Sequence, residues 1–126
     1  MKNKIILTEN APAPIGPYSQ AVQSGDFLFC SGQIAIDPKT GEVLKGSVAE
    51  QAELVLKNIN ALLQAANLGF ADIVKTTIFL TSMNDFAQVN EVYAKYFKVN
   101  PPARSTIAVQ ALPKGVNVEI EVIARA

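Results

Sequence analysis

The stretch SVAEQAELVLKNINALLQAANLG, residues 47–69, decides the fold because its hydrophobic residues follow a helical period. Apolar side chains recur at the spacing of one helix face, namely Val48, Ala52, Val55, Leu56, Ile59, Leu62, Leu63 and Ala66. The opening letters SVAE form a capping box, in which Ser47 is the cap and Glu50 follows three residues later. We therefore predict one long amphipathic helix that begins at Ser47 and is closed by Gly69.

The segments before this helix are predicted to be short antiparallel strands. KIILT, residues 4–8, is extended, and AVQSGDFLFCSGQIAI, residues 21–36, is typical of a hairpin that turns at SGD. A further loop is predicted at residues 37–43. The connection NAPAPIGPYSQ, residues 10–20, carries three prolines and a glycine, which exclude a helix and predict a rigid segment. This segment fixes the direction of Tyr18.

The second half of the chain is predicted to contain another helix. IVKTTIFL, residues 73–80, reads as a strand that loses clean alternation near its end, which indicates apolar surroundings on both sides. DFAQVNEVYAKYF, residues 85–97, has the helical period, with Ser82 or Asn84 as its cap. The two prolines at residues 101–102 prevent any continuation of this helix.

Two extended runs close the chain, RSTIAV at residues 104–109 and VNVEIEVIA at residues 116–124. The order β-β-β-α-β-α-β-β indicates an α+β fold with both helices on one face of a sheet. In the last strand one side consists of Val116, Val118, Ile120 and Val122, and the other of Asn117, Glu119, Glu121 and Ile123. Because 49% of all residues are hydrophobic, we expect the face away from the helices to be covered by other subunits.

The composition restricts the chemistry that this chain can perform. Its 126 residues suffice for one domain, 1–126, and 11 basic residues balance 11 acidic ones, which disfavours nucleic acid as a partner. Without histidine there is neither a Ser/His/Asp triad nor a histidine metal site, and no glycine-rich phosphate loop is present. The one cysteine, Cys30, is interpreted as a small buried hydrophobe. With no signal-peptide core and no membrane span in the sequence, the cytoplasm is the expected location.

Arg104 is the first candidate for a functional role because two prolines fix the approach of the chain to it. The alternation of its strand places Arg104, Thr106 and Ala108 on one face. An arginine beside small residues can lie over a pocket floor and offer its planar fork to the carboxylate of a ligand. The alternative is a surface arginine that pairs loosely with a carboxylate.

Glu119 is the second candidate. A carboxylate in a partly apolar site has its pKa raised toward neutrality and can exchange protons with a bound water. Glu121 shares its face, and the residue pattern does not choose between the two. The alternative for Glu119 is a solvated strand residue, or a structural partner for Arg104 or Arg125.

Three polar residues are weaker candidates. Asn90 lies inside the apolar stripe of the second helix, so its amide requires partners there, either backbone groups or a ligand. The stripe consists of Phe86, Val89, Tyr93 and Phe97. Tyr18 follows GP and Ser31 belongs to an SG pair, and the simpler interpretations are a packed ring and a turn residue.

Five segments together resemble the YjgF/RidA family, the reactive enamine and imine deaminases. In chain order they are APIGPYSQAV, FCSGQIAIDPKTGEV, DIVKTTIFLTSMNDFAQVNEVY, PPARSTIAV and LPKGVNVEIEVIA. The resemblance extends from about Asn10 to Ala124, nearly the whole chain. It implies a chorismate-mutase-like α+β fold assembled as a homotrimer, with clefts at the subunit interfaces and with no cofactor or metal.

The resemblance also implies a reaction and the residues that perform it. Members of the archetypal subgroup hydrolyse 2-aminoacrylate and related imines, released by pyridoxal-phosphate enzymes, to 2-keto acids and ammonia, a form of metabolite damage control. By matching motif, Arg104 of PARS grips the substrate carboxylate, and Glu119, the first glutamate of VEIEVIA, positions or activates the water. Tyr18, Ser31 and Asn90 match other cleft positions of the family.

One departure from the family pattern concerns Thr106. Many members read RSC where this chain has RST, so Thr106 replaces a cysteine that lines the cleft. A hydroxyl can also line a pocket and form hydrogen bonds, so we expect hydrolysis to be retained and substrate preference to be the affected property.

The preferred interpretation is an imine deaminase of the 2-iminobutanoate/2-iminopropanoate type that depends on Arg104 and Glu119. The alternative is a non-catalytic sensor, in which the same cleft binds a 2-keto acid or another small carboxylate through the arginine. A chaperone-like or ribonuclease role is a third interpretation. The neutral charge and the missing histidine argue against nuclease chemistry.

Overall fold

The computed structural model describes residues 2–126, which form a six-stranded sheet with two α-helices packed on one face. The strands are β1 (Lys4–Ile6), β2 (Ala21–Ser24), β3 (Phe27–Gln33), β4 (Ile73–Leu80), β5 (Ala103–Ala108) and β6 (Val118–Arg125). The helices are α1 (Val48–Ala65) and α2 (Phe86–Ala94). The predicted order β-β-β-α-β-α-β-β and the α+β class are confirmed.

The strands follow the spatial order β1-β2-β3-β6-β4-β5. The neighbours β4 and β5 are parallel, and every other neighbouring pair is antiparallel. The last strand of the chain, β6, is therefore a central strand between β3 and β4. The strand that carries Arg104, β5, lies at an edge of the sheet.

The start of α1 is predicted correctly, and its end is not. Ser47 Oγ accepts a hydrogen bond from the Glu50 backbone N–H, and Glu50 Oε1 accepts one from the Ser47 N–H, which completes the capping box. The helix ends at Ala65 because Asn67 adopts a left-handed conformation with φ of 60°, and the Leu68 N–H then bonds to the Leu63 carbonyl. Asparagine tolerates this conformation, so Gly69 is not needed to close the helix.

The second helix is shorter than its hydrophobic pattern suggests. A 3₁₀ turn, Met83–Asp85, precedes it and is capped by Ser82, whose Oγ accepts a hydrogen bond from the Asn84 N–H. The α-helix then extends over Phe86–Ala94 instead of the predicted residues 85–97. Beyond it the chain continues in turns whose hydrogen bonds span three residues, as in the bond from the Tyr96 N–H to the Tyr93 carbonyl.

The core lies between the two helices and one face of the sheet. Leu56, Ile59 and Leu62 of α1 are buried there, together with Ile78 of β4 and Ile120 of β6. None of the described helices is both long and apolar enough to cross a membrane.

The burial of β6 alternates as predicted. Val118, Ile120 and Val122 are buried on the helix side, whereas Glu119 is half-buried and Glu121 is exposed on the other side. One face of the central strand β6 therefore packs in the core, and the other face carries the two glutamates on the side away from the helices.

The single cysteine of the chain, Cys30, is buried as predicted. Its neighbours in β3, Phe29 and Ser31, point to the other side of the sheet. Burial raises the pKa of the Cys30 thiol to about 12, so the thiol is protonated at neutral pH.

We call the side of the sheet away from the helices the open face. It carries Phe27 and Phe29 of β3 and Ile107 of β5, whose exposed fractions are 40%, 47% and 47%. Large apolar side chains exposed together on one face mark an interaction surface.

A buried amide pair attaches the start of β6 to α1. Gln51, only 4% exposed, donates from Nε2 to Asn117 Oδ1 at 2.9 Å, and its Oε1 accepts from the Asn117 N–H at 2.9 Å. Asn117 Nδ2 also donates to Thr81 Oγ1, at the end of β4. These bonds fix the chain two residues before Glu119.

We predict that Gln51→Ala lowers the free energy of unfolding by about 2 kcal/mol, because it leaves polar atoms of Asn117 without their partner. The matched control is Gln64→Ala on the exposed side of the same helix, which we expect to change stability by less than about 0.5 kcal/mol. Urea unfolding at one fixed protein concentration measures both. Equal effects of the two substitutions would contradict the role of the amide pair.

Candidate functional site

Arg104 lies on the helix side of the sheet, against α2. In the parallel register of β4 and β5 it is opposite Thr76, a residue buried on the helix side. Arg104 Nη1 donates a hydrogen bond of 2.7 Å to Asn90 Oδ1. The sequence predicts that the amide of Asn90 needs a partner, and the structure shows that its oxygen bonds to this guanidinium.

Two aromatic rings support the same guanidinium. Its central carbon lies 4.9 Å from the ring centroid of Tyr93 and 5.5 Å from that of Phe86. Such cation–π contacts are worth roughly 0.5–2 kcal/mol and hold the planar group in one orientation. Thr106 and Ala108 share the helix side of β5 with Arg104, as the alternation of the strand predicts, and the two rings from the apolar stripe of α2 are neighbours that the sequence did not place there.

Tyr93 is itself fixed by a hydrogen bond of 2.8 Å between its hydroxyl and Thr76 Oγ1. Burial raises the pKa of the Tyr93 hydroxyl, against the smaller opposing effects of Thr76 and the charge of Arg104. Tyr93 is therefore neutral at physiological pH and acts as a support for the guanidinium. Arg104 remains exposed, so its other N–H donors can receive a carboxylate.

Thr106 lies two residues beyond Arg104 on the same side of β5, opposite Ile78. Its Oγ1 is buried and has no hydrogen-bond partner within residues 2–126. A buried hydroxyl without a partner is uncommon, so Thr106 has unused hydrogen-bonding capacity next to Arg104. We refer to Arg104, Asn90, Phe86, Tyr93 and Thr106 as the arginine cluster.

Glu119 lies on the opposite side of the sheet, in a cavity of about 150 Å³. Its polar and charged walls include Tyr18, Lys114 and Gln20, and most of the rest is apolar or backbone. The apolar part includes Pro12, Ile15, Ile34, Ile36 and Pro113. We refer to this cavity as the glutamate cleft.

The proline-rich segment forms one wall of the glutamate cleft because Gln20 attaches it. Gln20 is 2% exposed; its Nε2 donates to the carbonyls of Thr8, Ala11 and Pro12, and its Oε1 accepts from the Thr8 N–H. The side chain of Tyr18 projects from the end of this segment into the cleft and is 51% exposed. Residue patterns did not identify Gln20, whose role depends on the path of the segment.

Ser31 connects the same segment to β3. Its Oγ donates a hydrogen bond of 2.6 Å to the carbonyl of Ser19, and its backbone N–H donates to the carbonyl of Gln20. The hydroxyl proton of Ser31 is thus used within the chain. The geometry gives Ser31 a structural contact beside the cleft and leaves its oxygen free to accept a further bond.

The electrostatics of the cleft raise the pKa of Glu119. Burial raises the pKa of its carboxyl above the usual range, and the negative charge of Glu121 on the same face raises it further. Glu121 itself is exposed and lines a separate hollow with Phe29, Lys75 and Thr77. The choice between the two glutamates, which the sequence pattern leaves open, therefore favours Glu119 on burial.

The arginine cluster and the glutamate cleft do not meet within one chain, because Arg104 and Glu119 are on opposite faces of the sheet. Within residues 2–126 Glu119 forms no ion pair with Arg104 or Arg125; Arg125 lies 3.9 Å from exposed Asp26. No three His, Cys, Asp or Glu side chains in the described part of the chain lie together as a metal site. The chain thus presents an oriented guanidinium and a half-buried carboxyl group on opposite faces of the sheet, which we call the two half-sites.

Comparison with known proteins covers almost the whole chain. A family model described as Endoribonuclease L-PSP matches residues 8–126. A RutC family protein of Pyrococcus horikoshii is 56% identical over 121 residues, which cover 96% of each chain. The 2-iminobutanoate/2-iminopropanoate deaminase of Homo sapiens is 50% identical over 121 residues, or 96% of this chain and 88% of that protein. The crystal structure of the YjgF gene product from E. coli has a TM-score of 0.92 at 51% identity and covers 97% of this chain and 98% of its own.

We predict that Glu119→Gln increases stability near neutral pH, because the folded state holds the Glu119 proton more tightly than the unfolded state does. The stability of the wild type then falls as pH rises from the ordinary glutamate pKa, about 4.3, through the raised value. The advantage of the Gln variant disappears below that window, where both forms are neutral. Urea unfolding as a function of pH tests this, and a constant difference between the two proteins at all pH values would contradict it.

Proposed function

This chain belongs to the YjgF/RidA family, the Endoribonuclease L-PSP family of the comparison above, and we propose that it hydrolyses reactive imines and enamines such as 2-aminoacrylate to 2-keto acids and ammonia. The observation that carries the proposal is the pair of half-sites, an oriented arginine and a glutamate whose pKa is raised. The 50% identity to a named imine deaminase supports the same reaction.

Arg104 binds the carboxylate of the substrate in this proposal. Asn90, Tyr93 and Phe86 hold the guanidinium before the substrate arrives, so little side-chain freedom is lost on binding. A planar carboxylate matches the guanidinium fork, and this pairing orients the adjacent C=N carbon. Thr106, on the same side of β5 as Arg104, lines this half-site.

Glu119 transfers protons between water and the substrate nitrogen. An enamine such as 2-aminoacrylate first becomes the imine by gaining a proton at its terminal carbon and losing one from its nitrogen. A water oxygen then bonds to the C=N carbon while a water proton passes through Glu119 to the nitrogen, which gives a carbinolamine. Collapse of the carbinolamine then releases ammonia and leaves the keto acid. A carboxyl group with a pKa raised toward neutrality suits both directions of proton transfer, which typically contributes about 10²–10⁴-fold. Tyr18 lines the cleft and Ser31 is adjacent to Gly32 of its wall, and in this proposal both help to fix the water or the substrate.

The complete site forms between copies of the chain. The side chains of Phe27, Phe29 and Ile107 are exposed on the open face, and association with another copy would bury their apolar surface. Such association can bring the glutamate cleft of one copy to the arginine cluster of the next. A homotrimer, as the family resemblance implies, supplies one such site at each interface.

Ribonuclease activity, which the family description mentions, is not part of the proposal. The net charge is zero and there is no histidine, so neither a basic surface nor a histidine acid–base pair is available for RNA cleavage. The glutamate cleft, with its mostly apolar walls, suits a small organic acid better than a polyanion.

We predict that Arg104→Ala lowers kcat/KM for 2-aminoacrylate by about 10²-fold, because a charge-assisted contact worth roughly 3 kcal/mol is lost. The imine is generated from serine by a pyridoxal-phosphate lyase, and its decay and the formation of keto acid are followed together. Lys57→Ala, on the exposed side of α1, is the control for loss of a surface cation. Wild-type protein that binds pyruvate through Arg104 without accelerating imine decay would replace the deaminase with a sensor.

We predict that mixing the impaired variants Arg104→Ala and Glu119→Ala restores part of the activity after subunit exchange, because some interfaces then contain both native half-sites. The control mixes Arg104→Ala with Asn90→Ala, which alter the same half-site, so every site contains a defect. No recovery in the test mixture despite proven exchange would place the site within one copy, and equal recovery in the control would show that the activity does not come from complementary half-sites.

A further inference from the structure

The ladder between β3 and β6 contains an extra residue beside Glu119. Cys30 pairs with Val122 and Gln33 pairs with Ile120, so three steps along β3 match two steps along β6. This is a β-bulge at Ser31 and Gly32, a feature that re-aims residues and is often found next to functional sites.

The bulge places the backbone of Gly32 against the carboxylate of Glu119. A Cβ atom added to Gly32 would meet Glu119 Oε2, and it would lie 2.9 Å from Glu119 Cδ and 3.1 Å from Glu119 Cγ. Carbon atoms do not approach one another this closely without displacement. Because Gly32 has no side chain, the Glu119 carboxylate can occupy the space where a Cβ atom would lie.

The backbone of Gly32 is held in place on both sides. The Ser31 N–H donates to the Gln20 carbonyl at 2.9 Å, and Ser31 Oγ donates to the Ser19 carbonyl. Gln33 Nε2 donates to the Ser31 carbonyl, which ties the two ends of the bulge together. If a methyl group is added at Gly32, the mobile partner is consequently the carboxyl end of Glu119.

We propose that Gly32 is a positioning residue, whose missing side chain keeps the Glu119 carboxylate inside the glutamate cleft in the orientation needed for proton transfer. This role rests on the proposed function. In Gly32→Ala the carboxylate turns away from β3 and becomes more hydrated, while the fold is retained. Binding through Arg104, on the other half-site, is not directly affected.

The charged and titratable groups around Glu119 define the expected pH response. On its own strand the neighbour is Glu121, on β4 the open face carries Lys75, and the cleft walls contribute Tyr18 and Lys114. Displacement of the carboxylate in Gly32→Ala removes part of the burial that raises the pKa of Glu119, so that pKa moves back toward its ordinary value.

The test compares wild type, Gly32→Ala and the matched control Gly69→Ala. Gly69 has an extended backbone and no atom within 4 Å of an added Cβ, so its alanine variant should behave as the wild type. We expect Gly32→Ala to lower kcat by about 10²-fold with KM within about threefold, and to shift the acidic limb of the pH–rate profile downward. In the Glu119→Ala background, Gly32→Ala should have no further effect on kcat.

A readout without turnover separates this inference from the proposed function. The pKa of the Glu119 carboxyl, followed by NMR in protein with labelled glutamate, should be lower in Gly32→Ala than in wild type and unchanged in Gly69→Ala. If wild-type protein lacks activity but this shift occurs, the proposed function fails and the positioning contact stands. Unchanged kcat and an unchanged Glu119 pKa in Gly32→Ala overturn the inference.

A folding failure of Gly32→Ala is also informative. Because the added methyl group meets only Glu119 side-chain atoms among its three nearest neighbours, the double variant Gly32→Ala/Glu119→Ala should fold. Circular dichroism and urea unfolding decide this. A double variant that remains unfolded shows that the glycine serves the backbone of the bulge, and the positioning role is then wrong.

Discussion

Side chains of a β-strand alternate between the two faces of the sheet, and in this chain that constraint separates Arg104 from Glu119. The even-numbered residues of β6 are required in the core, where Val118, Ile120 and Val122 are buried, so Glu119 has to point to the open face. Arg104 faces the helices because its strand pairs in register with Thr76. The core thus determines on which side each polar group emerges, and neither can change side without exposing apolar residues.

The two half-sites are organised by different physical means. The arginine cluster is exposed and depends on aromatic faces and one amide, which orient a permanent charge without neutralising it. The glutamate cleft is half-buried, and Gln20 attaches the segment that forms one of its walls. Burial in this cleft removes water from Glu119 and so raises the pKa of its carboxyl group. The two half-sites share no residue, so a substitution in one removes no side chain from the other.

Much of the fold could be predicted from local patterns, because caps and alternation are local properties. The capping box from Ser47 to Glu50 identifies the start of α1, and the alternation of apolar and polar residues in β6 identifies its buried face. The closing residue of α1 was predicted wrongly because Asn67 adopts the left-handed conformation that glycine usually adopts at a helix end. The early end of α2 likewise depends on turns that the apolar stripe through Phe97 does not reveal.

The candidate site could be predicted only in part. The amide of Asn90 was expected to need a partner, but its identity depends on the parallel register of β4 and β5, which is set by tertiary contacts. The support of Arg104 by Phe86 and Tyr93 and the bulge at Gly32 have the same origin, because each joins segments far apart in sequence. The sequence pattern identifies the candidate residues, but it does not predict the strand register that brings them together.

The burial of Cys30 has a consequence for redox chemistry. It is the only cysteine of the chain, and Thr106 of the arginine cluster carries a hydroxyl and no thiol. With a thiol pKa of about 12, the reactive thiolate of Cys30 is almost absent at neutral pH, and both thiol exchange and sulfenic acid formation require that thiolate. The described surface therefore offers oxidants no thiol, and the groups proposed for catalysis keep their chemical state in reducing and oxidising surroundings alike.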